Sequence, residues 1–550
     1  MTTGTTDTWF TSVRDLTKRL VAVRSVSPGP GEIELAQAIL GMLQEDGLAD
    51  IYPTCQMVQI PGDPHGRSNV FAYLPGQSQA IAIILLGHFD TVGTSDYGAF
   101  EDIATDPDAL WEHHEKLMEG EGSGLNHPEE WMFGRGALDM KSGVATNIAI
   151  MRHFAHLAKA GTPPPISLVF AATPDEEVQS AGAMAAPAWL AQLRQREDLR
   201  YVGLINTDNI EPRFPGDAER PIYTGSVGKL LPLFYITGQA THVSFPYNGM
   251  DVNLISAELI RTLSMNTAYI DTDLVRGEST PPPVTLHQAD LKTDYNVQTA
   301  FAAWLYVNVL TLTQTPDQIL EKLRADVQTA LDAVLARLAK DYHARQHTLI
   351  EHGQVLTYEE LLAIAQQEPQ VGDLVRHELE QIRRTSLPTE DSRKVTLTMV
   401  AKLWEMSKLT GPAVVICFAP PYYPHIAGEG GMFDQAVRAV ANRYQSAGII
   451  VKEYFPALSD LSYMQRNPVK NLSKLIANMP LWQEDELESS GVSYRVPVQA
   501  IEQAQIEGVV NIGPFGVGAH KRSERVHMPY SFETVPQMVY ETILEVASRA

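Results

Sequence analysis

Residues 81–93 read IAIILLGHFDTVG. Six apolar residues and a glycine lead into His88 and Asp90, with Phe89 between them. A continuous apolar run of this length, bounded by turn residues, predicts a strand buried on both faces, as in a parallel sheet. Polar residues commonly mark where a strand leaves the core, and that is the ordinary explanation for this ending. The chemical explanation is a metal ligand followed by the carboxylate that orients its ring. One short motif does not decide between them.

Working outward, helical periodicity covers 8–25 and 32–46, separated by the breaker SPGPG. A strand is expected near 68–74 (SNVFAYL) and the quoted one over 81–87. A polar stretch from 93 to about 130 reads as a long surface loop. A helix over 143–158, a strand over 166–172, a helix over 183–195 and a strand over 201–206 follow. This alternation predicts an α/β fold: a mostly parallel sheet with helices on both faces. From about 217 the pattern changes, with a helix-like stretch over 251–264 and a long helix over 316–341 striped by Leu320, Leu323, Val327, Leu331, Val334 and Leu338. That stripe covers fewer than four heptads and reads as core or lid packing rather than a coiled coil. Strand and helix alternation returns with AVVICFAP at 413–420, a helix at 432–446, IIVKEY, VVNIGPFG and a last helix at 533–547. The expected organisation is a catalytic domain in two halves, 1–216 and 411–550. They are split by an inserted, smaller α+β lid domain at 217–345, with boundaries good to about 15 residues and a helical extension to about 410.

The chain has 550 residues, of which 44% are hydrophobic and 20% charged. That is ample for a core and long enough to imply more than one domain. A net charge of −24 argues against nucleic acid or an anionic membrane as partner. Cys55 and Cys417 lie in apolar stretches and read as reduced core residues rather than a disulfide framework. There is no apolar run of 18 residues and no signal-like N-terminus, so the expectation is a soluble, cytoplasmic protein.

Ligands of open parallel sheets bind outside the carboxyl ends of the strands, so the ionisable residues there carry the functional argument. They are His88 and Asp90; Asp139 in GRGALDMKSG; Asp175, Glu176 and Glu177 in TPDEEVQSAGA; Asp208 in TDN; and His520, Glu524 and His527 in GPFGVGAHKRSERVH. Each has an ordinary structural explanation. An acidic run before a helix complements its dipole, Asp139 can be a cap, Asp208 a turn residue, and His520 a solvated loop residue beside Lys521 and Arg522. All of these would have to hold together on one rim of one sheet. A mixed nitrogen and oxygen set without cysteine suits zinc or a similar first-row ion. Five ligands including a carboxylate able to bridge would hold two ions about 3.5–4 Å apart. Adjacent glutamates fit a division of labour, one a ligand and its neighbour a base. MKSG at 140–143 lacks the glycine that a phosphate loop needs before its lysine, no HExxH occurs, and WEHHEKLM at 111–118 reads as a solvated helix face.

The series GHFDTV, GRGALDMKSG, DEEVQSAGA, TDN and AHKRSERV resembles, in order and spacing over nearly the whole chain, the dinuclear zinc exopeptidases and deacylases of the acetylornithine deacetylase, succinyl-diaminopimelate desuccinylase and carboxypeptidase G type. The stretch SVSPGPGEIELAQAIL is similar to that family's N-terminal helix. The long form, with QADLKTDYNVQTAFAAWLY and HKRSERVHMPYSFE, is most similar to the arginine-utilisation, RocB-like branch. The resemblance implies two zinc ions per chain, with cobalt or manganese as substitutes. It implies His88 and Asp208 on one ion, Glu177 and His520 on the other, and Asp139 bridging. Asp90 would orient His88 and Glu176 would be the general base. GQATHVSFP is similar to the family's lid motif, so that His242 would stabilise the oxyanion from its own or a partner's lid, and a homodimer through the lid domain is implied. Asn296 in DYNVQT would contact substrate.

The sequence departs from the family at Gln179, where a glycine is usual, and in the long stretch 346–410. The expected function is a metal-dependent hydrolase, a zinc metallopeptidase or amidohydrolase, that cleaves an amide bond of a small peptide or N-acyl amino acid with a water activated between two zinc ions. The alternative is a non-catalytic binding or regulatory protein on the same scaffold.

Overall fold

The structure is a computed structural model that describes residues 6–120, 127–344, 353–367, 369–386, 390–465, 472–482 and 494–550. Parts of the polar stretch 93–130 and of the extension 346–410 lie outside these residues. The chain forms two compact units: residues 1–226, 426–468 and 497–550 make the first, and 227–425 with 469–496 the second.

The first unit is built on an eight-stranded sheet. Its strands are β1 (Thr54–Gln59), β2 (Ser68–Leu74), β3 (Ser78–His88), β4 (Ile166–Thr173), β5 (Arg200–Asn206), β6 (Arg220–Tyr223), β7 (Ile449–Lys452) and β8 (Val509–Asn511). They run in the order β1-β2-β4-β3-β5-β8-β6-β7. The centre, β4-β3-β5-β8, is parallel, as the uninterrupted apolar runs predict, while β1 and β2 are antiparallel additions at one edge. The central strands are buried on both faces, and the side chains given to each face follow the two-residue period of a strand. Ile83 and Leu85 of β3 join Val144, Ile148 and Met151 of helix Ser142–Lys159 in the main core. That core also takes in helices Thr6–Val21, Pro30–Gln44, Met432–Arg443 and Val535–Arg549. Phe71 of β2 stacks on Trp189 of helix Ala181–Glu197, with ring centroids 4.0 Å apart. The α/β class is therefore as the alternation predicts.

Two sequence expectations are corrected. The stretch from 93 onward is more than a surface loop: 3₁₀ turns at Ser95–Ile103 and helices Pro107–Trp111 and His114–Leu117 close around a small core of Tyr97, Ala104, Leu110, Leu117 and Phe133. One-turn elements leave no period in a sequence. In WEHHEKLM, accordingly, Leu117 is buried. Secondly, AVVICF does not rejoin the main sheet. Ala413–Phe418 pairs antiparallel with Pro232–Thr237 in the second unit, because a fully buried strand has the same signature in any sheet.

The second unit's main sheet runs Val284–Asp290, Ala302–Thr311, Pro232–Thr237, Ala413–Phe418, Gln354–Thr357. Its long helix, Pro316–Ala344, buries Leu320, Leu323, Val327, Leu331 and Val334 of the predicted stripe together with Ile319, while Leu338 is only half-buried. Among the described residues, no helix is long and apolar enough to cross a membrane.

Candidate metal centre

Three neighbouring strands deliver the site. β3 ends on His88, opposite Thr173 at the end of β4. β5 ends on Asn206, and Thr207 and Asp208 follow. Asn511 at the end of β8 accepts the Asp208 N–H at 2.9 Å and donates its amide to the Asp208 carbonyl at 2.8 Å. Gly143 and Gly513 leave room for this turn. A Cβ at Gly513 would lie 1.5 Å from the Asp208 carbonyl oxygen, and one at Gly143 2.0 Å from that of Thr207. Asp139 precedes helix Ser142–Lys159. His520 sits between Gly516–Val517 and Arg525–His527, two strands of a three-stranded sheet completed by Trp131–Phe133.

The side chains converge as two triads. His88, Asp139 and Asp208 bring ligand atoms within 4.8 Å of one another, and so do Asp139, Glu177 and His520. Asp139 belongs to both. Its Oδ1 is 3.1 Å from His88 Nε2 and its Oδ2 is 3.3 Å from His520 Nε2. His520 Nε2 is 3.0 Å from Glu177 Oε2, and His88 Nε2 is 3.9 Å from Asp208 Oδ1. Glu176 is in neither triad but close, with Oε2 4.0 Å from His88 Nε2.

Asp90 is fully buried and does two things. Its Oδ1 stands 3.5 Å from His88 Nδ1, which has no hydrogen-bond partner within normal range. Its two oxygens accept the backbone N–H groups of Glu176 at 3.0 Å and Glu177 at 3.1 Å. The carboxylate that faces the histidine ring thereby also fixes the glutamate pair.

The acidic run divides at Asp175, where φ is 73°. Asp175 accepts the Ala181 N–H at the start of the next helix, at 3.1 Å, and is the helix-complementing residue of the three. Its Oδ1 also takes the Ser27 hydroxyl at 3.0 Å and the Arg67 guanidinium at 2.5 Å. The left-handed turn there sends Glu176 and Glu177 to Asp90 instead. Arg67, itself buried, further pairs with Asp63 at 2.7 Å and Glu32 at 3.3 Å. Nothing in GRSNV signals that role chemically, so sequence reasoning misses it. It also misses Asp460, which accepts the Thr173 hydroxyl at 2.9 Å at the end of β4.

Electrostatically the cluster is overloaded with acid. Burial, with the Asp139 charge added, pushes Asp208 up to about 8. Burial also raises Glu177, with Asp139 adding to it, and holds Glu176 well above the carboxylate range, with Asp460, Asp208 and Glu177 adding to it. Burial alone would raise Asp139 too, but His520 and His88 outweigh it and hold this carboxyl low. Its hydrogen bonds to Asp139 and then Glu177 lift His520 to about 11. Carboxylates that push one another toward the neutral form are what a divalent cation offsets. The oxygen and nitrogen donors, without sulfur, fit such an ion.

Seven of the residues singled out in the sequence, His88, Asp90, Asp139, Glu176, Glu177, Asp208 and His520, thus come together. His527 stands apart, 3.4 Å from Glu130 and edge-on to Trp131. His242 and Asn296 belong to the second unit, on adjacent exposed segments joined by the pairing of His242 with Gln298.

The model for peptidase family M20/M25/M40 matches residues 102–545. Protein RocB of Bacillus subtilis (strain 168) is 31% identical over 564 aligned positions, spanning 97% of this chain and 94% of RocB. The succinyl-diaminopimelate desuccinylase of Dinoroseobacter shibae is 29% identical across 45% of this chain and 55% of its own length. Among solved structures, aminopeptidase PepT from Bacillus cereus aligns with a TM-score of 0.53 at 12% identity, over 98% of this chain and 99% of PepT, a likeness of fold. The match over most of the chain and the relation to RocB establish that the protein belongs to peptidase family M20/M25/M40.

Proposed function

We propose that this protein hydrolyses an amide bond of a small peptide or N-acyl amino acid at a dinuclear zinc centre. His88, Asp139 and Asp208 would hold one ion, and Asp139, Glu177 and His520 the other. The observation that carries this reading is the sharing of Asp139 between two triads, one oxygen facing each histidine. When bound, the ions would supply Lewis acidity, polarising the scissile carbonyl and making water acidic enough to lose a proton near pH 7.

The remaining steps belong to the chain's own groups. Glu176 lies beside His88 of the first triad without joining either, so its carboxylate is free to take the proton of the attacking water and return it to the leaving amine. Asp90 fixes the backbone from which that carboxylate projects. On the second unit, His242 Nδ1 accepts the Ser244 N–H at 3.1 Å, which puts the ring proton of the neutral form on Nε2. That tautomer suits a donor to the tetrahedral oxyanion. Asn296 folds its side-chain oxygen onto the Gln298 N–H, leaving its amide hydrogens for substrate.

The test is Glu176→Gln in zinc-loaded protein, assayed against dipeptides and N-acyl amino acids with metal content measured alongside. Turnover should fall at least ~100-fold, the lower end for a lost proton-transfer group, with two metals retained. Near-normal turnover would remove Glu176 from its role. The His242→Ala protein should lose kcat, with its metals intact.

A further inference from the structure

Glu524 lies four residues past His520 and belongs to neither triad. It is 1% exposed. Its Oε1 accepts three backbone N–H groups from one turn: Gly136 at 2.8 Å, Leu138 at 3.2 Å and Asp139 at 3.3 Å. Its Oε2 accepts from Arg135 Nη1 at 2.6 Å. Arg135 is equally buried and is held on every side. Its Nη2 meets both oxygens of Asp96 at 2.7 and 2.8 Å, its Nε donates to the Gly93 carbonyl at 3.0 Å, and its guanidinium lies 5.3 Å from the Tyr97 ring centroid.

Three amide groups donating to one carboxylate oxygen fix the backbone of residues 136–139, and with it the direction in which the Asp139 side chain leaves. We propose that Glu524 is a positioning residue for Asp139, clamped in place by Arg135 and Asp96. The small folded segment after residue 93 thereby gains a purpose: it supplies Asp96, Gly93 and Tyr97, which hold Arg135 against Glu524. This inference rests on the reading that Asp139 serves two metal positions. Groups that orient a ligand in this way typically contribute about 10–100-fold to metal affinity or activity.

The experiment compares wild-type protein with Glu524→Gln and Arg135→Lys, using zinc titration of the metal-free chain, the visible spectrum of the cobalt-substituted chain, kcat, KM and thermal stability. Asp271→Asn is the control. Asp271 is built alike in the second unit, its Oδ2 accepting the N–H groups of Leu312, Thr313 and Gln314 at 2.7–2.8 Å. Glu524→Gln should weaken binding of at least one zinc at least tenfold, alter the cobalt spectrum and lower kcat with KM little changed. Arg135→Lys should do the same more weakly, and Asp271→Asn should lose only stability. Zinc affinity and kcat within twofold of wild type in Glu524→Gln would overturn the inference, as would losses no greater than those of the control at equal stability. Should Glu524→Gln fail to fold, Arg135→Lys decides by the same readouts. Wild-type protein that takes up fewer than two zinc ions would instead overturn the dinuclear reading, so the two failures are distinguishable.

Discussion

At Arg67 one cation serves three buried carboxylates, Asp63, Glu32 and Asp175. Taken out of water, such a group owes its presence to its partners, and they to it. Replacing it with Met keeps the bulk and leaves the acids uncompensated, so Arg67→Met should lower stability by about 3–5 kcal/mol in urea unfolding. Glu32, which burial already pushes to about 8 against the opposing pull of Arg67, would bind its proton still more readily. Asp175 shows why single residues mislead when read in sequence. In DEEVQS the three acids look alike, yet one turns back to the helix and the arginine while two turn to Asp90. The difference is a backbone angle, and the sequence carries no mark of it.

Among elements, the connection entering the short pair Thr272–Asp273 and Glu278–Ser279 depends on Asp271, which ties it to the residues after strand Ala302–Thr311. Burial opposes the charged form of Asp271, but its backbone donors prevail and hold the carboxyl below its ordinary range. A group with a depressed folded pKa stabilises above its unfolded value, about 3.9, and that benefit disappears as pH falls through the folded value. Asp271→Asn should therefore cost about 1.5–3 kcal/mol at pH 7, with the gap to wild type narrowing below about pH 4, as thermal melts across pH would show. Legibility at this scale followed period and length. The long stripe of Pro316–Ala344 and the apolar runs of β3, β4 and β5 announce themselves. TCQMVQ of β1 mixes polar and apolar residues at an edge, and the one-turn helices after residue 93 have no repeat to detect. The sheet to which Ala413–Phe418 belongs is a matter of which partner is nearest in space.

For the whole molecule, every proposed ligand lies in the first unit. Zinc at 100 times its dissociation constant would add about 2.7 kcal/mol to whatever binds it. Hydrogen exchange with and without zinc should show added protection at residues 88–91, 136–142, 174–180 and 518–524, and little in the second unit; protection rising equally in both units would contradict the assignment. The site was legible because ions require a narrow set of residue types and open sheets put them at strand ends. Arg67 and the clamp on Glu524 were not, since the carboxylates that Arg67 joins are scattered along the chain and the amide groups that Glu524 organises belong to any residue. The arrangement of the triads along the chain has a further consequence for a polypeptide emerging from the ribosome. His88, Asp139 and Asp208 all precede the inserted unit, whereas His520 and Glu524 follow it. A nascent chain halted within the insertion would have made the residues of the first triad but not His520. The second triad, and the carboxylate that steadies Asp139, wait until the chain beyond the insertion has been made.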